Sequence, residues 1–393
     1  MNEFEYKSVC ILGRQPALGI AELESLYGTE NVKPFGSAAL LNLDAAEVNF
    51  KRLGGTIKVA RILTILPTTQ WREVLNYLVE NIPKHLEYVE PGKFTLGISV
   101  YGLAVNVPQI NQGALAIKKA VKATARPVRI VPNKTLELNS AQVLHNKLTH
   151  RGAWELNLLK YGQQTILAQT LFVQDIGAYA ARDQARPKRD ARVGMLPPKL
   201  AQTLINLTCP DTKDTVLDPF CGTGVVLQEA QLMGHSVVGT DLEPRMIEYS
   251  KDNMDWLRQQ YPSIETGLFL AVGDATSFKW PHFDVVAAEV FLGRPLTTLP
   301  DTEKLNAIIH DTDTILRKFL INLLPQVKTG RRICLAVPAW KRSQGGFHHL
   351  PLIDHLTEMG YNRVDFKHAS PSELIYHRPD QTVARQLLVL VKR

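Results

Sequence analysis

The sequence of 393 residues has only four cysteines, Cys10, Cys209, Cys221 and Cys334. No two have the Cys-x-x-Cys spacing, so neither a disulfide framework nor a zinc site is expected, and no metal site is assigned. This usage fits a reducing, cytoplasmic setting. Long apolar runs are also missing. None reaches the roughly 18 residues that a membrane-spanning helix needs. The opening MNEFEYK has mixed charge and no apolar stretch behind it, unlike a secretory signal. Internal repeats and low-complexity tracts are absent as well. What is left has the composition of a globular protein, 45% hydrophobic and 21% charged, and is too long for one ordinary core.

Acids are scarce in two stretches. Lys118, Lys119, Lys122, Arg126, Arg129 and Lys134 follow one another with no Asp or Glu between 113 and 134. Arg182, Arg186, Lys188, Arg189, Arg192 and Lys199 are opposed only by Asp183 and Asp190. One such cluster is as readily a solvated surface; two in one chain point towards a polyanion such as nucleic acid. The candidate contacts are the six bases of the first stretch together with Arg182 and Arg186.

Periodicity and turn signals divide the chain into four parts. Residues 1–70 carry short strands at 8–12, 38–43 and 60–66 and a helix over 17–27 ended by Gly28, a small α+β unit. Residues 71–176 form a second, basic α+β unit. It has helices over 71–82 and 109–123, strands at 93–100 and 127–131, a helix capped by Asn139 or Ser140, and a hairpin turning at Tyr161-Gly162. Residues 177–196 form a connector rich in Pro and Arg. From 197 to 393 strands at 215–218, 236–240, 268–272, 283–288 and 332–337 alternate with helices. This implies a largely parallel sheet covered on both faces. A last pair, 362–367 and 385–390, is expected to close one edge as an antiparallel hairpin. The chain reads as an α/β multidomain protein.

Chemistry gathers in the last part. The strand Thr215–Asp218 runs into Pro219, Phe220, Cys221, Gly222, Thr223 and Gly224 and then into a helix. Glycines there let a ligand approach the backbone. A glycine-rich turn alone also suits a dinucleotide. Asp218 separates the two cases, because an acid beside the turn repels pyrophosphate and attracts the α-ammonium of a methionine moiety. Asp241, followed by Leu242, ends the second strand and can accept ribose hydroxyls. Asp274, followed by Ala275, ends the third and can accept an adenine amino group. Each acid alone is an ordinary cap or surface charge; three at the ends of successive strands fit S-adenosylmethionine. Cys221 lacks an evident partner base and reads as a small pocket residue.

With these residues in view, the chain resembles the THUMP-domain RNA methyltransferases, the eukaryotic and archaeal enzymes that methylate the exocyclic N2 of guanosine 10 in tRNA. The resembling stretches are ILGRQPALGIAELESLYG (11–28), RLGGTIKVARIL (52–63), RDQARPKRDARVGMLPPKLAQTLINL (182–207), VLDPFCGTG (216–224) and YHRPDQTVARQLLVL (376–390). The resemblance implies an N-terminal ferredoxin-like domain over 1–70, a THUMP-like RNA-binding domain over 71–176, and a C-terminal Rossmann-like, seven-stranded methyltransferase domain over 197–393. It also implies tRNA as substrate; eukaryotic members need a small activator protein and archaeal ones act alone, and the sequence carries no sign of such a dependence. It places Gly194 and Pro197 near the methionine end of the cofactor.

One motif departs. The family follows its fourth strand with Asp/Asn-Pro-Pro-Tyr/Phe. There the acid and a proline carbonyl accept hydrogen bonds from the target amine, and the ring stacks on the base. Here the strand ends in Glu289-Val290-Phe291-Leu292-Gly293. Glu289 and Phe291 are the catalytic candidates. Three readings stay open: Glu289 replaces the acid, the acceptor is another exocyclic amine in RNA or DNA, or the protein binds tRNA through an inactive site.

Overall fold

A computed structural model describes residues 5–190, 195–293, 296, 298–342, 344–378 and 381–393. The chain divides into two compact units. Unit 1 comprises 1–13, 31–51 and 56–177; unit 2 comprises 14–30, 52–55 and 178–393. The first helix, α1 (Pro16–Tyr27), therefore belongs with the C-terminal residues and not with the strands beside it in sequence.

In unit 1 the strands are β1 (Ser8–Leu12), β2 (Val32–Phe35), β3 (Ala38–Leu41), β4 (Thr56–Leu66), β5 (Phe94–Tyr101), β6 (Val128–Ile130), β7 (Ala153–Tyr161) and β8 (Gln164–Val173). They form one sheet in the order β2-β3-β1-β4-β8-β7-β5-β6. β4 pairs antiparallel with β8 along most of its length. Strands on either side of residue 70, where the sequence suggested a domain boundary, thus share one sheet. Its helices are α2 (Trp71–Asn81), α3 (Val107–Ala123) and α4 (Ser140–His145). Capping boxes start α3 at Asn106/Gln109 and α4 at Asn139/Gln142. The apolar face of α3, with Ile110, Ala114, Ile117 and Val121, packs into the core with Leu96 and Ile98 of β5. A buried ion pair, Lys58 with Glu155, lies inside this unit, and Ser99 and Thr170 also donate to Glu155.

Helix α5 (Ile176–Ala180) and a π-turn over Ala181–Ala185 open the connector. Unit 2 continues with α6 (Pro198–Leu207), β9 (Thr215–Asp218), α7 (Val225–Leu232), β10 (Ser236–Asp241), α8 (Pro244–Gln260), β11 (Leu268–Val272), β12 (Val285–Glu289) and α9 (Thr302–Leu323). It ends with β13 (Arg332–Lys341), β14 (Phe347–His348), β15 (Tyr361–Arg363), β16 (Ile375–Tyr376) and β17 (Val383–Lys392). Seven strands line up as β11-β10-β9-β12-β13-β17-β15, and the two-residue strands β14 and β16 pair at the side. The five from β11 to β13 are parallel, and β17 is antiparallel to both its neighbours. The fold is thus a mixed-sheet α/β unit.

The last pair closes one edge of this sheet as expected: β15 is the outermost strand and pairs antiparallel with β17, which lies between it and β13. Leu387, Leu388, Val389 and Leu390 of β17 are all buried, because an interior strand is covered on both faces. Among the described residues no helix is long and apolar enough to cross a membrane.

Inside unit 2 the segment at 52–55 threads against α1 and α6. Glu22 of α1 accepts from the amides of Gly54 (2.9 Å) and Gly55 (2.8 Å) and from Asn206 Nδ2 (2.8 Å). A Cβ on Gly54 would collide with the Lys199 carbonyl oxygen, so only glycine permits this approach.

Two of the connector's arginines, Arg182 and Arg186, turn inward, contrary to their assignment as RNA contacts. Arg182 is buried and pairs with Glu229 of α7 (Nε to Oε1, 2.6 Å) while lying over the Tyr179 ring. Arg186 is buried too, with Nη2 donating to Met195 Sδ at 3.2 Å. A helix carboxylate buried at Glu229 needs a cation beside it, and that requirement explains the basic pattern here. Arg182→Met is expected to lower the stability of the full chain by about 3–5 kcal/mol in urea unfolding, because Glu229 is left buried and unpaired. A stable Arg182→Met protein with weakened tRNA binding would restore the surface assignment.

Candidate active site

The strand order of unit 2 reverses between β9 and β12, since β10 and β11 lie on one side of β9 and β12 and β13 on the other. Open α/β sheets bind ligands in the crevice outside the strand carboxyl ends at such a point. A cleft of about 440 Å³ is found there. Its walls include Asp218 from β9, Asp241 and Leu242 from the end of β10, Asp274 and Ala275 after β11, and Glu289 and Phe291 at and after β12. The fold thus brings together seven residues singled out from sequence, along with Pro219, Phe220, Cys221 and Gly222. A larger concavity, about 880 Å³, lies in unit 1 and is walled by Leu63, Tyr77, Trp154 and Leu171. It holds none of the strand-end carboxylates, so the smaller cleft is the candidate site.

The loop after β9 is held rigidly. Gly222 (φ +50°) and Gly224 (φ +82°) adopt left-handed conformations, and Gly224 is the N-cap of α7. Phe220 packs edge-on against Phe319 of α9, ring centroids 5.0 Å apart. Asn253 of α8 donates to the carbonyls of Thr223 and Lys188 and so ties the connector to the loop.

The carboxylates differ in their surroundings. Asp218 is buried, and only its Oδ1 accepts a described bond, from the Phe220 amide at 3.1 Å. Burial pushes its carboxyl well above the usual range, and the charges of Asp241 and Glu289 add to that. Asp241 accepts the Gly222 amide on Oδ2 (2.9 Å) and the Glu243 amide on Oδ1 (3.0 Å). Burial raises its carboxyl in spite of those two bonds. Asp274 is exposed, and the Thr276 amide (2.8 Å) and hydroxyl (2.7 Å) on its Oδ1 hold it below the usual range. Glu289 is pushed up by burial against the pull of Arg385, with which it pairs. Burial and the neighbouring acids raise the Cys221 thiol well above its usual value, which fits a pocket residue and not a nucleophile.

A cleft with three clustered carboxylates and apolar walls suits a ligand with one cationic end and a flat apolar part. Leu242, 65% exposed at the cleft, offers such a part a surface. Phe291, 43% exposed, offers a second on the β12 side.

Other expected residues fall elsewhere. Gly194 lies outside the described residues. Pro197 does not line the cleft; it caps α6, and its carbonyl accepts from Leu200 and Ala201. Met195 and Leu196 face the cleft in its place, a shift of one or two residues that the sequence pattern did not resolve. Ile315 of α9 also lines it and carried no sequence signal. Among the basic candidates of unit 1, Lys119, Lys122, Arg129 and Lys134 are exposed and Lys118 is half-buried. Arg126 instead clips a loop, donating to the carbonyls of Leu86 (2.7 Å), Val89 and Gly92. Its role is structural.

Comparison with known proteins agrees with this geometry. Residues 217–304 match a family model described as a methyltransferase domain, and 157–252 match one described as a DNA methylase. The tRNA (guanine(10)-N2)-dimethyltransferase of Methanothermobacter thermautotrophicus is 30% identical over 171 residues, 40% of this chain and 43% of the relative. That of Pyrococcus abyssi is 37% identical over 109 residues, 27% of this chain and 30% of the relative. The chain thus matches less than half the length of these relatives. Among solved structures, TrmN from Thermus thermophilus is 17% identical and aligns over 99% of both chains with a TM-score of 0.53. SMU.472, crystallised in complex with SAH, is 11% identical and aligns over 100% of this chain and 99% of the other with a TM-score of 0.50. These two likenesses concern the fold. Over its matched residues the chain is similar in sequence to tRNA (guanine(10)-N2)-dimethyltransferases, and it carries a methyltransferase domain on a mixed α/β sheet.

Proposed function

We propose that the protein is an S-adenosylmethionine-dependent methyltransferase acting on the exocyclic N2 of a guanosine in tRNA, at a site like position 10. The observation that carries this reading is the convergence of Asp218, Asp241 and Asp274 from three neighbouring strand ends on one cleft that Glu289 and Phe291 close from the other side. Unit 1 is the RNA-binding part, built from ferredoxin-like and THUMP-like pieces, and Lys118, Lys119, Lys122, Arg129 and Lys134 are its phosphate contacts. Four scattered cysteines without a Cys-x-x-Cys pair agree with work in the cytoplasm.

The residues divide the labour as follows. Asp218 holds the α-ammonium, Asp241 the ribose hydroxyls, and Asp274 the adenine amino group through Oδ2. Leu242 lies against the adenine face. The donor supplies an electrophilic methyl group on a sulfonium. An exocyclic amine is a poor nucleophile because its lone pair is delocalised into the ring. Glu289 accepts one of its N–H bonds and draws the nitrogen towards a tetrahedral form, while Phe291 stacks on the extruded base. A second reading, transfer to another exocyclic amine, is favoured by one observation: the DNA methylase match together with Glu-Val-Phe-Leu in place of a Pro-Pro loop.

Three outcomes are expected. Labelled methyl groups pass to bulk tRNA, nucleoside mass spectrometry finds them on guanosine N2, and Glu289→Ala lowers the rate about 100-fold or more. Methyl on another base establishes the second reading, and tRNA binding without any transfer means an inactive site. Next, a cationic ligand lowers the raised Asp218 carboxyl, so SAH binding releases a proton. Its affinity then rises with pH above the ordinary carboxylate range and levels off past the free-protein value. Calorimetry in buffers of different ionisation enthalpy reads this directly. Asp218→Asn is expected to abolish the proton release, and equal heats for the wild type in all buffers would count against the assignment. Finally, Lys119→Glu with Lys122→Glu should weaken tRNA binding and reduce its salt slope by about one for each phosphate that is no longer neutralised. An unchanged slope would remove α3 from the RNA surface.

A further inference from the structure

Behind the cleft wall a buried arginine meets Glu289. Arg385 belongs to β17, is 3% exposed and does not line the cleft. Its Nε donates to Glu289 Oε1 across the intervening strand β13. In the sheet register Glu289 stands beside Ala336 of β13, and Arg385 stands beside Pro338 of the same strand. The Glu289 side chain keeps 15% of its surface exposed, on the cleft side.

Stability alone does not account for this pair. Two charges taken out of water recover little net free energy over a packed apolar alternative. The rest of β17 shows that such an alternative is at hand, since Leu387, Leu388, Val389 and Leu390 fill the same sheet. The pair instead stands where the strand-order reversal opens the cleft. Here the chain also lacks the consecutive prolines that would stiffen the loop after β12.

We propose that Arg385 is a positioning residue: its guanidinium takes one oxygen of Glu289 and leaves Oε2 presented to the incoming amine. The inference rests on the methyltransferase reading of the cleft. A planar guanidinium on an interior strand fixes a side chain as two prolines fix a backbone. Among the described residues, Arg385 from β17 and Asp218 from the end of β9 are the charged groups that face Glu289. Removing the arginine leaves Glu289 with an acid of like charge in a poorly hydrated site, so it takes up a proton and stops acting as an anionic acceptor.

The test uses the full chain with glutamate side chains labelled with carbon-13, and Glu289→Gln assigns the resonance. In Arg385→Met the Glu289 titration midpoint is expected to rise by about 1–3 pH units. The acid limb of the kcat profile should follow it by the same amount. Arg385→Lys keeps the charge and loses the fork. Its midpoint stays near that of the wild type, while kcat falls roughly tenfold or more with little change in KM for S-adenosylmethionine. An unmoved midpoint in folded Arg385→Met overturns the proposal, as does a moved midpoint with an unmoved acid limb. Should Arg385→Met fail to fold, Arg385→Lys decides alone, and wild-type kcat in it overturns the proposal. Absence of both SAH binding and methyl transfer in the wild type counts against the methyltransferase reading itself. The titration is read without turnover and separates the two failures.

Discussion

Negative charge held out of water is the constraint around which unit 2 is organised. Asp218, Asp241 and Glu289 share one crevice, and each is pushed up by burial. The surrounding chain offers partial relief in the form of backbone amides: Phe220 to Asp218, Gly222 and Glu243 to Asp241. That relief requires a tight turn with left-handed glycines, and it requires the turn to stay still. Phe220 is therefore braced on Phe319, and Asn253 fastens the loop to the connector. The remaining imbalance is what a cationic ligand removes. A site built this way binds through charge completion more than through shape.

The same principle operates away from the cleft. Glu229 meets Arg182, Glu155 meets Lys58, and Glu22 meets three donors from neighbouring segments. Each buried acid sets the position of another part of the chain. Arg182 and Arg186 draw their part of the connector inward. Basic residues in this protein thus serve two purposes, internal compensation at Arg182, Arg186 and Arg385 and an exposed face at Lys119, Lys122, Arg129 and Lys134.

That double use limits what could be read from sequence. Charge clusters do not state which way a side chain points, so Arg126, Arg182 and Arg186 looked like Lys119. Strands and helices with local signals were legible: β1, β9 and β11 fall where their patterns put them, and Asn139 caps α4. The acids at Asp218, Asp241 and Asp274 were legible because strand ends converge by the rules of parallel sheets. Long-range placement was not. The β15–β17 pair at one edge was expected, but that β13 flanks β17 on its other side has no local signal. Nothing local links Arg385 to Glu289, which are 96 residues apart. The pairing exists only once β13 and β17 are aligned.

Helix α1 has a consequence of a different order. It is made near the start of the chain, yet its Glu22 bonds to Asn206, 184 residues later. During synthesis the ribosome must therefore release all of unit 1 before α1 meets α6. Until then Glu22 lacks the amide donor of Asn206. Contacts of such long loop span form late and slowly. Unit 1 can complete its own sheet in this interval with α1 looped out between β1 and β2. Residues 14–30, made early, can meet their partners in α6 only after the whole of unit 1 has been made. A fragment beginning at 178 would lack that helix, so unit 2 is continuous in space but not in sequence.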